Sequence, residues 1–265
     1  MNIFRREMKA NRKSLLIWCG SMVFLIYAGL MKYAGFAKTG DDINKLFDQF
    51  PAGLKAVFGI GEVNLTTIGG FYTLFFLYFM LLAGTHAIML GASILSKEER
   101  DKTADFLYAK PCKRSIIITA KLLASLVNLL VLNLVTLAAS LAFVEMYSPG
   151  AGLTMDILRL MAALFLFQVL FLTLGIAISS LTANMRKATA LSTLVLLACF
   201  MLSVAIDMQK DLRFLKYFTP FQYFPAKQIM ASGQVEIGPV LLSLALAGVL
   251  LAAGYGLTQR RDLRT

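Results

Sequence analysis

Side chains that could support catalysis are few in the apolar parts of this 265-residue chain. The single histidine, His86, is followed by Ser93 in the same apolar run, and the acidic pair Glu98–Glu99 comes shortly after. A metalloprotease needs several imidazole or carboxylate ligands, which one histidine and this pair do not supply. A serine protease of the membrane interior would pair His86 with Ser93, but no nucleophile motif surrounds that serine. We therefore expect no catalytic residues and no metal site.

ATP hydrolysis by the chain itself is also not expected, because the sequence contains no G-x-x-x-x-G-K-[ST] phosphate loop. Cys19, Cys112 and Cys199 are far apart and indicate neither a disulfide framework nor a metal cluster. Any energy for work must therefore come from a partner.

Coupling to an ion gradient would require ionisable groups or broken helices near the middle of the membrane. The centres of the apolar runs contain no Asp, Glu, Lys or Arg. His86 could titrate there, but we interpret it as a polar side chain satisfied by a neighbouring helix. No ion pathway is expected. The polar residues at these centres are His86, Asn128, Asn133 and Gln168.

The elements that carry these residues are six apolar runs of membrane-spanning length. About 20 apolar residues cross about 30 Å of hydrocarbon, and 58% of this chain is hydrophobic while only 15% is charged. The sequence predicts an all-α membrane protein with six transmembrane helices in a single domain over residues 1–265. The predicted spans are Ser14–Met31, Gly70–Leu95, Ser115–Val144, Ile157–Leu181, Ala188–Ile206 and Pro239–Leu257.

Two pairs of small residues, Gly175 with Ser179 and Gly248 with Ala252, permit close helix approach. They could line a contact between two copies of the chain. We expect packing within one chain instead.

The basic residues are distributed unequally between the two sides of the predicted bundle. Segments 1–14, 96–121, 182–188 and 258–265 contain 17 Lys and Arg against 6 acidic residues, whereas the other connections contain 9 against 9. The positive-inside rule therefore places both termini in the cytoplasm. The net charge of +11 indicates orientation and attraction to membrane lipid rather than nucleic-acid binding.

The cytoplasmic connection 96–114 predicts a short amphipathic helix. Ser96 and Glu99 have the spacing of a capping box, and Pro111 limits how far the helix continues. An apolar face lies opposite a heavily charged one. The alternative is a solvated helix that merely joins two spans. The apolar face contains Ala104, Leu107 and Tyr108, and Glu98 and Lys102 form an i, i+4 pair.

Two further segments are expected at the membrane surface. Residues 1–13 are basic with a narrow apolar stripe, which fits an interfacial helix or a basic topogenic tail. The extracytoplasmic loop 32–69 predicts two short amphipathic helices, around 43–50 and 54–58. We expect these helices to form a structural lid without substrate contact; the alternatives are that they rest on the outer leaflet or cap an exit path.

The second large extracytoplasmic loop, 207–238, is rich in aromatic residues around Pro220 and Pro225. An aromatic belt at the membrane interface and a re-entrant hairpin backed by the bundle both fit this composition.

The run between spans two and three combines an acidic pair, a threonine, a leucine, a Pro-x-x-Arg motif and a later lysine: Glu98, Glu99, Thr103, Leu107, Pro111, Arg114 and Lys121. Together with Phe50–Gly59, Leu215–Phe224 and Arg261–Leu263, this pattern resembles the transmembrane permease of type-two ABC exporters (ABC-2 type). That class includes small bacterial drug, bacteriocin and polysaccharide exporters. Lys102 departs from the pattern, because the family more often has glycine there.

The resemblance implies a permease that is not an enzyme and needs no cofactor. It would export a hydrophobic or amphipathic substrate, such as a peptide antibiotic, a lipid or a drug. Its partners would be two cytosolic ABC ATPase subunits, which bind ATP and Mg²⁺, and a second copy or a related permease.

The helix at about 97–109 would then couple the permease to the ATPase. Arg114 and Lys121 would anchor this helix or contact lipid headgroups. The implied coupling residues are Glu98, Glu99, Arg100, Thr103, Ala104, Leu107, Tyr108, Pro111, Arg114 and Lys121.

Two other classes compete with this interpretation. A non-transporting adaptor or immunity protein would bind a toxic peptide through the aromatic outer loop and would need no coupling helix. A lipid-modifying enzyme would need a clustered polar site within the membrane, which the sequence does not show. The expected location is a plasma membrane, multi-pass, in a prokaryote.

Overall fold

The computed structural model describes residues 3–39, 42–58, 64–94, 114–182 and 184–260. Two 3₁₀ helices, Lys210–Phe218 and Pro220–Gln222, lie in the last large loop. The α-helices formed by these residues are α1 (Ile3–Thr39), α2 (Asp42–Asp48), α3 (Ala52–Phe58), α4 (Ile68–Ile94), α5 (Arg114–Tyr147), α6 (Thr154–Leu181), α7 (Met185–Met208), α8 (Ala226–Ser232) and α9 (Ile237–Arg260).

Six of these helices, α1, α4, α5, α6, α7 and α9, are long and apolar enough to cross a membrane. This confirms the all-α fold with six spans, and the described residues include no strand. We call the end of the bundle that holds the start of α1 the terminal end. The opposite end, which holds α2 and α3, is the lid end.

The basic segment 1–13 is not separated from the first span. From Ile3 onward it forms the first turns of α1, which run without interruption into the apolar part. These turns pack along α5, where Asn128 Nδ2 lies 3.3 Å from Met8 Sδ. Glu7 is only 2% exposed. Packing against α5 therefore extends α1 well beyond the predicted apolar run.

The helix that organises the core is α6, which packs against α4, α5, α7 and α9. It meets α4 at a crossing of two glycines, where the backbones touch. A Cβ atom on Gly91 would lie 2.2 Å from the Leu172 carbonyl oxygen, and one on Gly175 would lie 2.3 Å from the Ile88 carbonyl oxygen. Only glycine permits this approach.

Small residues were expected either to pack within one chain or to line a contact between two copies, and the crossing shows which applies to Gly175. Gly175 packs inside the chain, as expected. A Cβ on Gly248 would meet no described atom within 4 Å. The Gly248 face of α9 is therefore not used for packing within the described part of the chain.

The lid end contains the two predicted amphipathic helices, α2 and α3. Asn44 in α2 is fastened to the segment just before α4, because its Nδ2 donates to Asn64 Oδ1 at 3.0 Å and its Oδ1 accepts from the Leu65 backbone N–H at 3.1 Å. In α3, Lys55 Nζ donates to the Asp48 carbonyl oxygen at 2.8 Å and so caps the end of α2. These bonds hold both short helices against the bundle.

Replacing Gly91 or Gly175 with valine should separate α4 from α6. Each added side chain would overlap a backbone oxygen that cannot move alone, so we expect a loss of about 1–3 kcal/mol or more in unfolding free energy. Thermal unfolding of the purified protein in one detergent measures this loss. Gly248→Val is the matched control on an open helix face, and equal midpoints for all three variants would contradict the tight crossing.

Candidate functional site

The predicted coupling residues fall mostly on a stretch that lies outside the described residues. These residues are Glu98, Glu99, Arg100, Thr103, Ala104, Leu107, Tyr108 and Pro111. Arg114 is the first residue of α5, and Lys121 lies two turns further along the same helix. The structure thus defines the two helices that the coupling connection joins, and the role of the connection itself stays a prediction.

Lys121 links those two helices directly. Its side chain is 2% exposed, and Nζ donates to the carbonyl oxygen of Ile94, the last residue of α4, at 2.7 Å. The last carbonyls of a helix lack partners inside the helix and carry partial negative charge, so they attract an ammonium group. Such burial places Lys121 against protein rather than against lipid headgroups. The bond fastens the start of α5 to the end of α4.

A small polar cavity of about 170 Å³ lies beside this link, at the terminal end between α1, α4, α5 and α7. It is lined by Trp18, His86, Ser93 and Asn128, among others. The His86 ring is 5.4 Å from the Trp18 ring, centroid to centroid. Its Nδ1 is buried without a hydrogen-bond partner in the described structure. The expectation that a neighbouring helix satisfies His86 is therefore not met at this atom.

The other polar residues at the centres of the spans differ in whether their side chains have hydrogen-bond partners. Asn133 Nδ2 donates across to the Met161 carbonyl oxygen in α6 at 3.0 Å. Asn128 Nδ2 donates to Ala124 O in its own helix at 2.7 Å. Both side-chain polar atoms of Gln168 are buried without a partner. Among the described residues no group of three or more His, Cys, Asp or Glu could hold a metal ion.

The aromatic loop at the lid end combines the two arrangements that fitted its composition. Its first part fits the aromatic belt, because Phe214, Tyr217 and Phe218 are all strongly exposed. The following residues turn back into the bundle. Thr219 Oγ1 donates to the Cys199 carbonyl oxygen at 2.8 Å. Cys199 lies nine residues before the end of α7, about 13 Å along the helix, so the loop is re-entrant.

Phe221 is the residue at which this loop enters the core. Its ring centroid lies 5.0 Å from that of Phe167, 5.8 Å from Phe171 and 5.6 Å from Phe200, in edge-on geometry. Edge-to-face contacts of this kind are favourable for aromatic rings. The aromatic side chains of α6 and α7 therefore form a socket that holds the loop.

Hydrogen bonds hold the re-entrant loop in place next to the socket. Gln222 Nε2 donates to Asp207 Oδ1 at 2.8 Å and to Ser203 Oγ at 2.9 Å. The Tyr223 hydroxyl donates to the Tyr217 carbonyl oxygen. Burial raises the pKa of Tyr223, with a smaller contribution from nearby Cys199. Tyr223 thus stays a neutral hydrogen-bond donor at physiological pH.

A cavity of about 530 Å³, the loop cavity, opens beside the re-entrant loop between α3, α4, α7 and α8. Its walls are largely apolar, and its charged groups are Lys55, Asp207 and Lys227. A cavity of this size with a few polar groups is typical of ligand sites. Sequence reasoning did not select Ser203, Asp207 or Gln222. The available signal was the position of Asp207 just before the aromatic run and of Gln222 within it, between Phe221 and Tyr223.

The family comparison agrees with this architecture. A family model described as ABC-2 family transporter protein matches residues 1–263, which is nearly the whole chain. The chain belongs to the ABC-2 transporter family. Among curated proteins, none matches it significantly.

Membership defines the general role of this ABC-2 protein. It is a multi-pass membrane component of an ABC transporter and works with an ABC ATPase. The resemblance carried by the cytoplasmic run is thereby confirmed at the level of the family. The residues that contact the ATPase stay a prediction.

Removing the Phe221 ring should release the re-entrant loop of this ABC-2 protein. Phe221→Ala empties the socket and should weaken loop packing by about 3 kcal/mol or more. We expect faster labelling of Cys199 by a water-soluble maleimide in a Cys19→Ser, Cys112→Ser background. Phe218→Ala removes an exposed ring from the same loop and should leave the rate unchanged. Identical rates for both variants would refute the socket.

Proposed function

We propose that the chain is the permease subunit of an ABC exporter, which moves a hydrophobic or amphipathic substrate out of the cell. The observation that carries this proposal is the family match over residues 1–263 on a bundle of six spans. A separate ATPase subunit would supply the energy. The active assembly would contain two ATPases and two permeases, either two copies of this chain or one copy and a related permease.

The charge distribution supports a cytoplasmic terminal end. The start of α1, the end of α9 and the helix ends that flank 95–113 and 183 belong to that end, and the sequence segments there carry the excess of Lys and Arg. The lid, the re-entrant loop and the loop cavity would then face the outside of a prokaryotic plasma membrane. This orientation is the one that an exporter coupled to a cytosolic ATPase requires.

The coupling path that we propose starts at the helix near 97–109. The ATPase would seat on its apolar face, formed by Ala104, Leu107 and Tyr108. Closure of the ATPase on ATP would push this helix, and the bond from Lys121 to Ile94 would transmit the push to both α4 and α5.

The glycine crossing would carry the displacement further. Because α4 and α6 touch through their backbones at Gly91 and Gly175, they would move as a pair. Packed helices switch between discrete arrangements rather than bend continuously. The pair lies under the re-entrant loop, since Phe167 and Phe171 of α6 contact Phe221. A push at the terminal end would therefore reach the lid end.

An amphipathic substrate is supported by the chemistry of the loop cavity. Phe76, Phe200 and Phe221 form apolar walls, while Asp207 and Gln222 provide a polar margin. A ligand with one apolar and one polar part would satisfy both surfaces.

A second candidate function is supported by the exposed aromatic belt. Phe214, Tyr217 and Phe218 would let a non-transporting immunity protein capture a toxic peptide at the lid end. Such a protein would need neither the coupling helix nor an ATPase. Purification from native membranes in mild detergent distinguishes the two, because the exporter should bring a phosphate-loop ATPase with it.

Leu107→Asp should abolish ATPase association if the coupling face is assigned correctly. A carboxylate in the centre of an apolar docking face would be buried without a partner, at a cost of several kcal/mol. The measurement is the amount of co-purified ATPase and its vanadate-sensitive activity.

Lys102→Gln, on the charged face of the same predicted helix, is the control for the Leu107 variant. It should retain the ATPase. Retention of both association and activity by Leu107→Asp would overturn the coupling assignment.

Lys121→Met should leave association with the ATPase intact but lower the ATPase activity of the complex. It keeps the length of the side chain but removes the ammonium that holds Ile94, so the ATPase should still bind. We expect its activity in the complex to fall about fivefold or more, the range of a typical coupling energy. Lys121→Arg keeps the charge and should recover part of the activity. An unchanged rate in the methionine variant would show that the link plays no part in coupling.

A further inference from the structure

A second large cavity at the lid end has a chemistry different from that of the loop cavity. This aromatic cavity measures about 450 Å³ and lies between α1, α4 and the two lid helices. Its walls include Phe36, Phe47, Phe58, Phe71 and Phe75. Among the residues that the structure describes, Lys32 is its only charged lining residue. A predominantly apolar and aromatic cavity with one charged group is typical of a site for an amphiphile.

The cavity is an elongated slot. Along α1 its lining runs from Leu25 to Phe36, about 16 Å at the rise of a helix. Since α1 spans the membrane, the slot runs along the direction in which lipid chains lie. Two of its lining residues, Lys32 and Phe58, are exposed, so the slot is open at the surface of the bundle. A chain can therefore enter sideways from the hydrocarbon.

The slot exists because one residue of α1 lacks a side chain. A Cβ atom on Gly29 would lie 2.4 Å from Cε1 of Phe75, so any larger residue would displace that ring. The lid closes the slot from the other side, where the Tyr78 hydroxyl lies 3.4 Å from the Phe58 carbonyl oxygen.

Lys32 supplies the charged group of the slot, one helical turn before Phe36. It lies seven residues before the end of α1 and is exposed, and no carboxylate of the described residues forms an ion pair with it. A lysine within a membrane span normally marks a functional site with an anionic partner. Its flexible stem allows the ammonium to reach the headgroup level while the stem stays along the apolar wall.

We propose that the aromatic cavity binds one acyl chain of an anionic phospholipid from the leaflet at the lid end, with the headgroup phosphate paired to Lys32. The aromatic walls take the chain, and the ammonium selects the negatively charged headgroup. The loop cavity differs from the aromatic cavity, because its lining combines the Asp207 carboxylate with the ammonium groups of Lys55 and Lys227. Binding of this lipid requires neither the ATPase nor transport.

A fluorescence reporter placed in the slot tests the proposal on the full-length protein in lipid vesicles. Trp18 is the only tryptophan of the chain, so Trp18→Phe with Tyr78→Trp leaves a single reporter in the cavity wall. Phosphatidylglycerol and phosphatidylcholine with brominated acyl chains are compared as quenchers at equal mole fraction. We expect phosphatidylglycerol to be preferred about fivefold or more.

Three further variants locate the source of this preference. Lys32→Gln should make the two lipids equal, whereas Lys38→Gln, on the same helix outside the slot, should keep the preference. Gly29→Leu should lower quenching by both lipids because it pushes Phe75 into the slot. Ala28→Leu serves as the second occluding variant if Gly29→Leu unfolds at lower temperature.

Three outcomes would overturn the proposal. The first is a preference that persists in Lys32→Gln, and the second is full quenching in a folded variant with an occluded slot. The third is relief of quenching by inorganic phosphate, because it would show that the contact with Lys32 alone, and not the acyl chain in the slot, holds the lipid.

Discussion

Contact between the backbones of α4 and α6 is the constraint on which most of this bundle depends. Without side chains at Gly91 and Gly175, the two helices approach until carbonyl oxygens lie where Cβ atoms would otherwise be. Membrane helices gain little from the hydrophobic effect against one another, so this close dispersion contact is their main source of cohesion. The remaining helices pack around the pair, with α5, α7 and α9 against α6 and α1 along α5.

The same constraint connects the two ends of the molecule. At the terminal end the pair is tied to α5 by the buried Lys121, and at the lid end α6 supplies two of the rings that hold Phe221. Both contacts are buried in the bundle, and salt screens buried charges much less than exposed ones. A stiff unit therefore lies between the connection that joins α4 to α5 and the re-entrant loop.

Long apolar runs made the six spans predictable, and regular spacing of apolar residues revealed α2 and α3. Contacts between distant segments were not predictable. The sequence drew attention to Gly175 but not to its partner Gly91, because the spacing of small residues does not specify the opposing helix. The bond from Thr219 to Cys199 depends on which carbonyl faces the loop. Lys32 follows directly after the predicted span, and only the continuation of α1 to Thr39 makes it part of a cavity wall.

The short helix α3 forms part of the wall of both lid-end cavities. Phe58 faces the aromatic cavity, while Ala52, Lys55 and Ala56 face the loop cavity. A molecule that shifts α3 when it enters one cavity necessarily reshapes the other. Thermodynamic linkage makes such an effect reciprocal, so each occupant would change the affinity of the other by the same factor. With the proposed lipid in the aromatic cavity, the composition of the surrounding membrane would set how tightly the loop cavity binds a ligand through this shared wall.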